Sequence, residues 1–283
     1  MIYNIKKSNT EISINTFGAE VISVKHFGDE KFWQNHDGSW DGHCPMLFPY
    51  CGHVLINYGG KIYKSEPHGF AKDREFEVIN KADDFIELSL RSDEFTKEFF
   101  PFDFVFTVKF QALDNGLKFE YKVYNSGNID LYFSLGGHES INTECNVSGY
   151  SVIFNKSERF ENLLNDINGY LIGSHEILGE GKELILKEEY FNNGYSLIFK
   201  DLKSDSLKFF DKSGKKICKI DFKGFNVLLF WKEENSAFIC IEPWLNIPDG
   251  YDNENLSIDK KYGFIKVPPK KNKKISQSIE FYK

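Results

Sequence analysis

Apolar and polar residues alternate along much of this chain, as they do in β-strands that bury one face. Residues 104–110 carry apolar side chains at every second position, and a period of two is typical of a half-buried strand. Residues 117–123 continue the pattern after Asp114-Asn115-Gly116, a sequence that favours a tight hairpin turn. The two segments are therefore predicted to be paired strands of an antiparallel meander.

The same pattern predicts an all-β protein, a large antiparallel β-sandwich with almost no helix. One short helix is predicted over residues 92–99, and Pro101 is predicted to end it. No linker or change in composition divides the chain, so residues 1–283 are predicted to form a single domain. Further strands are predicted at residues 2–17, 21–24, 54–56, 61–63, 75–90, 150–154, 195–200, 206–210, 217–222, 227–231, 238–242 and 275–282, the last as an edge strand.

Composition and charge exclude several classes of partner. The formal net charge is -7 and no basic stripe exists beyond the cluster at 270–274, which argues against a nucleic-acid partner. No stretch approaches the ~20 apolar residues of a membrane helix, and the first residues lack the apolar run of a signal peptide. The five cysteines are scattered without a CxxC pair, as expected for free thiols in the cytoplasm.

One candidate for chemistry stands at the end of a predicted strand, where Gly136 and Gly137 precede His138. Glycines let the backbone bend or approach a neighbour closely, because they have no Cβ. The imidazole of His138 could then change charge near neutral pH at a fixed position. A bulge with a surface histidine is the alternative interpretation.

Glu242 is the second candidate, because it follows the apolar run 238–241 and precedes Pro243. The proline is predicted to end the strand and to leave Glu242 at a rim. Partial burial would raise the pKa of the carboxylate towards that of a usable base. The alternative is a strand-end carboxylate in a salt bridge. His138 and Glu242, from distant strands, form a plausible acid/base pair.

No metal site and no cofactor are predicted. His138 and Glu139 are neighbours in a strand, so their side chains point to opposite faces and would not readily share an ion. The chain also has no G-x-S-x-G, H-E-x-x-H or phosphate-loop motif.

The remaining histidines and tryptophans are given structural roles. Trp244 is the best of the tryptophans for stacking on a ligand, because it is close to Glu242. Asp249 is predicted to form a turn. The residues predicted to lie on the surface are His26, His36, His43 and His175, and those predicted to lie in the core or at a rim are Trp33, Trp40 and Trp231.

Four segments resemble, in order, those of the aldose 1-epimerase (galactose mutarotase-like) superfamily, in its LacX-type bacterial branch. They are residues 45–53, 68–72, 133–138 and 241–244. The resemblance implies a β-supersandwich with its site on a concave sheet face and a small sugar as substrate. It also implies that His138 protonates the sugar ring oxygen, that Glu242 takes the proton from the C1 hydroxyl, and that His68 binds and polarises the substrate.

The chain departs from the family pattern in the residues that would hold the sugar. His53 stands where the family usually has an arginine, and Lys72 replaces another frequent arginine. A family aspartate that contacts sugar hydroxyls has no secure match, and the nearest place for it is around Asn193. The predicted substrate-binding residues are therefore His68, His53, Lys72, Trp244 and Asn193.

Three functions are compatible with these residues. The first is an aldose 1-epimerase, monomeric or homodimeric, that interconverts the anomers of a free aldohexose or related sugar. The second is a non-catalytic carbohydrate-binding or sensing protein on the same fold, suggested by the loss of arginine at His53. The third is an epimerase of a hexose phosphate, for which Lys72 and Arg74 are the obvious cationic pair near a motif.

Overall fold

A computed structural model describes residues 1–64, 66–250 and 254–283, and over these the chain is built almost entirely of strands. Among these residues the one α-helix is α1, Glu94–Phe99, and 3₁₀ segments occur at Ala71–Asp73, Glu188–Gly194 and Ile258–Lys260. The strands, in chain order, are β1 Ile2–Lys7, β2 Thr10–Asn15, β3 Glu20–His26, β4 Asp29–Glu30, β5 Ile56–Tyr58, β6 Lys61–Tyr63, β7 Glu77–Lys81, β8 Phe85–Arg91, β9 Phe104–Leu113, β10 Gly116–Asn125, β11 Leu131–Phe133, β12 Glu139–Asn142, β13 Ser151–Asn165, β14 Leu171–Ile185, β15 Leu197–Lys200, β16 Ser206–Phe210, β17 Lys216–Asp221, β18 Val227–Trp231, β19 Phe238–Trp244, β20 Ile265–Val267 and β21 Asn272–Phe281.

Two sheets position the functional site. The larger has nine strands in the order β14-β13-β16-β17-β21-β10-β9-β8-β7, and the smaller has four in the order β12-β19-β18-β15. Every pairing within them is antiparallel. The antiparallel all-β sandwich predicted from the alternation of apolar residues is therefore confirmed.

Aromatic side chains fill the space between the strands and the loops that cover them. Phe48, in a loop held between Pro45 and Pro49, stacks on Phe106 of β9 with ring centroids 4.4 Å apart. Phe106 in turn faces Tyr121 of β10 at 6.5 Å. Large rings bury much apolar area each, so this stacking anchors the loop to β9.

β21 and β14 are among the strands that differ from the sequence-based prediction. β21 was predicted to lie at an edge, but it pairs with β10 on one side and β17 on the other. Its first residues include exposed lysines, which are typical of edge strands, whereas Gln277, Ile279 and Phe281 are buried. β14 was not predicted, because only Leu171 and Leu184 are buried in it and it lacks an apolar alternation.

Two polar residues are more deeply buried than predicted. His26 was assigned to the surface, but it is buried and its Nδ1 lies 3.1 Å from the Thr10 hydroxyl. Asp249, predicted to form a turn, is buried beside the ammonium group of Lys261 at 2.6 Å and accepts a hydrogen bond from the Leu55 N–H. A buried polar or charged group needs a partner. Here each partner lies far away in the sequence, so local patterns do not reveal it.

Membrane-spanning helices are not a feature of the described residues: no helix there is long and apolar enough to cross a bilayer.

Candidate active site

The register between β12 and β19 places His138 opposite Glu242. Glu139 pairs with Ile241, and Gly136 forms an isolated bridge with Trp244. The register is therefore the same before and after His138. Directly opposite residues of an antiparallel pair share a face. On β18, Leu229 is opposite Glu242 in turn, and the three side chains form one row across the sheet.

This row lies on the floor of a cavity of about 770 Å³. Both His138 and Glu242 are buried, with 7% and 1% of their surface exposed. The Nε2 atom of His138 lies 3.4 Å from Oε2 of Glu242. Glu242 was predicted to sit at a rim, which is wrong: β19 continues through Pro243 to Trp244. The carbonyl of Pro243 accepts a hydrogen bond from the Gly137 N–H. The nitrogen of Pro243 lies on the same side of the strand as this carbonyl and therefore faces away from β18. Proline is tolerated here because its missing N–H removes no hydrogen bond to β18.

The two glycines before His138 are required by close approach. A Cβ on Gly136 would lie 2.5 Å from the Trp244 ring, and one on Gly137 would lie 2.3 Å from the side chains of Glu139 and Gln277. Both distances are too short for any larger residue. Gly136 and Gly137 thus let the backbone lie close to the side chains of Trp244, Glu139 and Gln277, as the sequence predicted for two residues without a Cβ.

Trp244 holds the carboxylate of Glu242 in place. Its indole N–H donates to Oε2 of Glu242 at 3.1 Å and lies 3.2 Å from the carbonyl oxygen of Gly137. Oε1 of Glu242 and Nδ1 of His138 are buried and have no hydrogen-bond partner in the part of the chain that the structure describes. The pair therefore has unused hydrogen-bonding capacity on the floor of the cavity.

Burial shifts the two pKa values in opposite directions. It lowers the pKa of His138 to about 4, because the charged imidazolium loses its hydration. Burial, reinforced by the negative charge of Glu139, raises the pKa of Glu242 well above its usual value, and the Trp244 N–H opposes this rise. Perturbed, adjacent titratable groups in a cavity are typical of catalytic sites.

His68 completes the group from a strained position. Its φ angle of 68° lies in the left-handed region, which is costly for a residue with a Cβ. Reciprocal hydrogen bonds with Gly52 hold it: the His68 N–H donates to the Gly52 carbonyl at 2.9 Å, and the Gly52 N–H donates to His68 Nδ1 at 3.1 Å. Because Nδ1 accepts, the hydrogen of the neutral ring is on Nε2.

The other predicted binding residues have different positions. His53 lines the cavity and stacks on Tyr170 with ring centroids 4.3 Å apart, and burial lowers its pKa. Lys72 lines the cavity too, but its ammonium group is 2.6 Å from the carboxylate of Asp73. Asn193 is exposed with a φ of 59° and is not among the cavity-lining residues. Asn193 is therefore not at the cavity wall.

Another asparagine, Asn165, does line the cavity. It is buried in the cavity wall, where its Oδ1 accepts from the Ser196 N–H at 3.1 Å and its Nδ2 donates to the Asp166 carbonyl at 2.8 Å. Both ends of this amide thus hold the loop backbone. Its position depends on a contact across 31 residues, which no local motif indicates.

Trp40 is the main site residue that the sequence did not predict. It comes from an Asp- and Gly-rich loop, yet its ring stacks on His138 at 5.2 Å and on Phe238 at 5.3 Å. Trp231 meets His138 edge-on at 5.9 Å. Together they shield one side of the imidazole from water, and a loop without periodicity gives no signal for such a role.

One group of side chains has the composition of a metal site. Among the described residues, His138, Cys240 and Glu242 have ligand atoms that all lie within 4.8 Å of one another. The sequence had considered only His138 with Glu139, whose carboxylate lies on the other side of β12 with Gln277.

An all-β sandwich with a buried imidazole–carboxylate pair in an open cavity defines a protein that can move protons within a small polar ligand. The sequence profile of the aldose 1-epimerase family matches residues 1–162. The chain belongs to the aldose 1-epimerase family.

Within the family, the chain is similar to LacX-type proteins. It is 24% identical to the chromosomal protein LacX of Lactococcus lactis subsp. lactis, over 92% of this chain and 93% of that protein. A galactose mutarotase-like protein from Lactobacillus casei superposes with a TM-score of 0.92 at 23% identity, covering 100% of both chains. A galactose mutarotase related enzyme from Lactobacillus acidophilus gives 0.90 at 26% identity, covering 100% of this chain and 98% of that one. The galactose mutarotase-like fold expected from the resemblance is confirmed.

Proposed function

We propose that this protein is an aldose 1-epimerase that interconverts the α and β anomers of a free aldose by proton transfer between Glu242 and His138. The observation that carries the proposal is the 3.4 Å approach of His138 Nε2 to Glu242 Oε2 on the cavity floor. Neighbouring sugar oxygens, O1 and the ring oxygen, are bonded to the same carbon. A base and an acid this close can therefore reach both at once.

The reaction needs two proton transfers. Glu242 takes the proton of the C1 hydroxyl while His138 protonates the ring oxygen, and the bond between C1 and the ring oxygen breaks to give the open-chain aldehyde. Rotation about C1–C2 presents the other face of the carbonyl. Reversal of both transfers closes the other anomer and restores the starting residues, so no cofactor is consumed.

This scheme requires one proton on the His138–Glu242 pair throughout. The proton is on His138 before ring opening and on Glu242 after it. Burial lowers the pKa of His138 to about 4 and raises that of Glu242 well above its usual value. Burial therefore favours the state with the proton on Glu242, which is the state that the scheme reaches after ring opening.

Two further residues have roles in this proposal. The Nε2–H of His68 is a suitable donor to a sugar hydroxyl, because its Nδ1 is occupied by Gly52. His53 is stacked and its pKa is lowered by burial, so it offers a neutral ring edge instead of the arginine fork usual in the family. A neutral residue loses the bidentate contact of arginine, which predicts weak and broad sugar selectivity.

Charge favours an unphosphorylated substrate over a hexose phosphate. Among the described residues that line the cavity, Lys72 is the one lysine or arginine, and Asp73 already neutralises it. Carboxylates at Glu20, Asp41 and Glu233 line the same cavity. A phosphate dianion would meet repulsion there without a free cation to hold it.

The proposal is tested by following anomer interconversion by NMR across a panel of pure anomers of aldoses. We expect Glu242→Gln and His138→Asn each to lower kcat by ~10²- to 10⁴-fold. The double variant is expected to be no slower than the slower single variant, because the two residues act as a unit. The matched control is Glu161→Gln/His175→Asn, a half-exposed carboxylate–imidazole pair 3.9 Å apart, which should keep wild-type rates. Sugar binding without any interconversion by the wild type would overturn the proposal in favour of a binding protein.

A further inference from the structure

A thiol lies beside the proposed acid/base pair. Side chains alternate along β19, so Cys240 points to the same face as Glu242, and the β12–β19 register puts Ser140 opposite Cys240 and His138 opposite Glu242. Cys240 is fully buried and packs with Phe238. A buried thiol thus lies next to the imidazole and the carboxylate of the cavity floor.

These three groups approach the geometry of a zinc site. Zn–N and Zn–O bonds of ~2.0–2.2 Å at tetrahedral angles separate the two ligand atoms by roughly 3.3–3.5 Å. The observed distance from His138 Nε2 to Glu242 Oε2 is 3.4 Å, and the ligand atoms of His138, Cys240 and Glu242 lie within 4.8 Å of one another. The thiol would have to approach by about 1 Å for a Zn–S bond of ~2.3 Å, which a small side-chain rotation can provide.

An independent observation also indicates a ligand at this point. Oε1 of Glu242 is buried and has no hydrogen-bond partner among the described residues. A buried carboxylate oxygen without a partner is costly, and a cation bound by the carboxylate removes that cost. The surrounding rings of Trp40 and Phe238 exclude water from one side, which strengthens the attraction for a cation.

We propose that His138, Cys240 and Glu242 form a binding site for one borderline-soft divalent cation, with Zn²⁺ the best match, and that this cation blocks the sugar site. A nitrogen, sulfur and oxygen donor set suits Zn²⁺, whereas Mg²⁺ and Ca²⁺ prefer oxygen alone. Binding replaces the thiol proton of Cys240, which is released to solvent. Three protein ligands leave a fourth position towards the cavity, where water can bind.

The cation acts as an inhibitor in this proposal, because it uses the lone pairs that the proton transfers need. Glu242 cannot accept the C1 hydroxyl proton and His138 cannot return a proton while both coordinate a metal. Protein treated with a chelator should therefore retain full activity, and added Zn²⁺ should compete with the sugar.

The experiment titrates chelator-treated protein with Co²⁺, whose thiolate complexes absorb strongly in the near ultraviolet, and then displaces it with Zn²⁺. We expect one Co²⁺ per chain with a thiolate band, and affinity at least roughly tenfold weaker in Cys240→Ala and Cys240→Ser. Both variants should keep wild-type turnover but lose Zn²⁺ inhibition. The controls are Cys218→Ala, another fully buried cysteine, and the exposed Cys145→Ser, which should bind as the wild type does.

The outcomes separate this proposal from the epimerase assignment, because Co²⁺ binding is measured without turnover. Absent binding, binding as tight in the Cys240 variants as in wild type, or activity that depends on Zn²⁺ would each overturn it. Cys240-dependent binding by a protein that converts no anomer would support the metal site and contradict the proposed function instead.

Discussion

The carboxylate of Glu242 has one hydrogen-bond donor among the described residues, the indole N–H of Trp244 at 3.1 Å. A hydrogen bond to a charged group contributes about 1.5–3 kcal/mol, so this donor opposes the rise in the pKa of Glu242 that burial causes. At the scale of single residues, the sequence predicted the acid/base pair from a strand end, a proline and a family resemblance. It did not predict the depth of Glu242 or the Trp244 contact, because both depend on β19 continuing through Pro243.

Trp244→Phe tests this contact. The variant keeps an aromatic ring and loses the N–H, so the pKa of Glu242 should rise further and its orientation should be less fixed. We expect kcat/KM for anomer interconversion to fall by roughly 10- to 100-fold, as the loss of a hydrogen bond of about 1.5–3 kcal/mol implies. The control is Trp231→Phe, which also alters a cavity-lining indole but removes no hydrogen bond to Glu242. Equal losses in the two variants would refute a specific role for the Trp244 N–H.

At the scale of elements, β12 has two functions on its two faces. His138 precedes the strand and faces the cavity, whereas Glu139 faces the nine-stranded sheet, where its carboxylate accepts from Gln277 of β21. Gln277 also lies 2.9 Å from the hydroxyl of Tyr121 on β10. Burial raises the pKa of Glu139 from 4.5 to about 8, so the folded protein keeps this residue protonated at neutral pH.

This shift predicts a loss of stability as the pH rises. The unfolded chain ionises Glu139 above about pH 4.5, whereas the folded chain holds the proton until about pH 8. The stabilising contribution is thus complete below 4.5 and falls as the pH rises to 8. Between pH 6 and pH 9, the free energy of unfolding of wild type should fall relative to Glu139→Gln by about 2 kcal/mol. Denaturant titrations at both pH values measure this difference, and a constant difference would contradict the shift.

Patterns within one element predicted strands that bury an alternating face, such as β9, β10 and β18. β14 escaped prediction because it is polar and mostly exposed, and it is held by its long pairing with β13. The same limit applies to the site, where His68 and Trp40 lie in loops and Asn165 ends β13, and the positions of all three depend on distant contacts. Asn193 is not among the residues that line the cavity, whereas its neighbour Gly194 is.

At the scale of the whole molecule, charge acts on the substrate before any contact is made. The chain has a formal net charge of -7. Carboxylates also line much of the cavity around the ion pair formed by Lys72 and Asp73. A cleft with one sign of charge focuses the potential and repels ligands of the same sign. The field should therefore disfavour phosphorylated sugars at low ionic strength, and salt should weaken this effect.

This selectivity can be measured as the ratio of kcat/KM for the 6-phosphate of an aldose to that for the free aldose. Wild type should favour the free sugar. Asp73→Asn removes a carboxylate and frees Lys72 2.6 Å away, so the ratio should rise by roughly fivefold, the effect of about 1 kcal/mol. The rise should shrink as salt is added. Glu176→Gln changes the net charge equally but is exposed on β14 and outside the cavity lining. An equal rise in that control would attribute selectivity to net charge, and a wild-type preference for the phosphate would favour a hexose-phosphate epimerase.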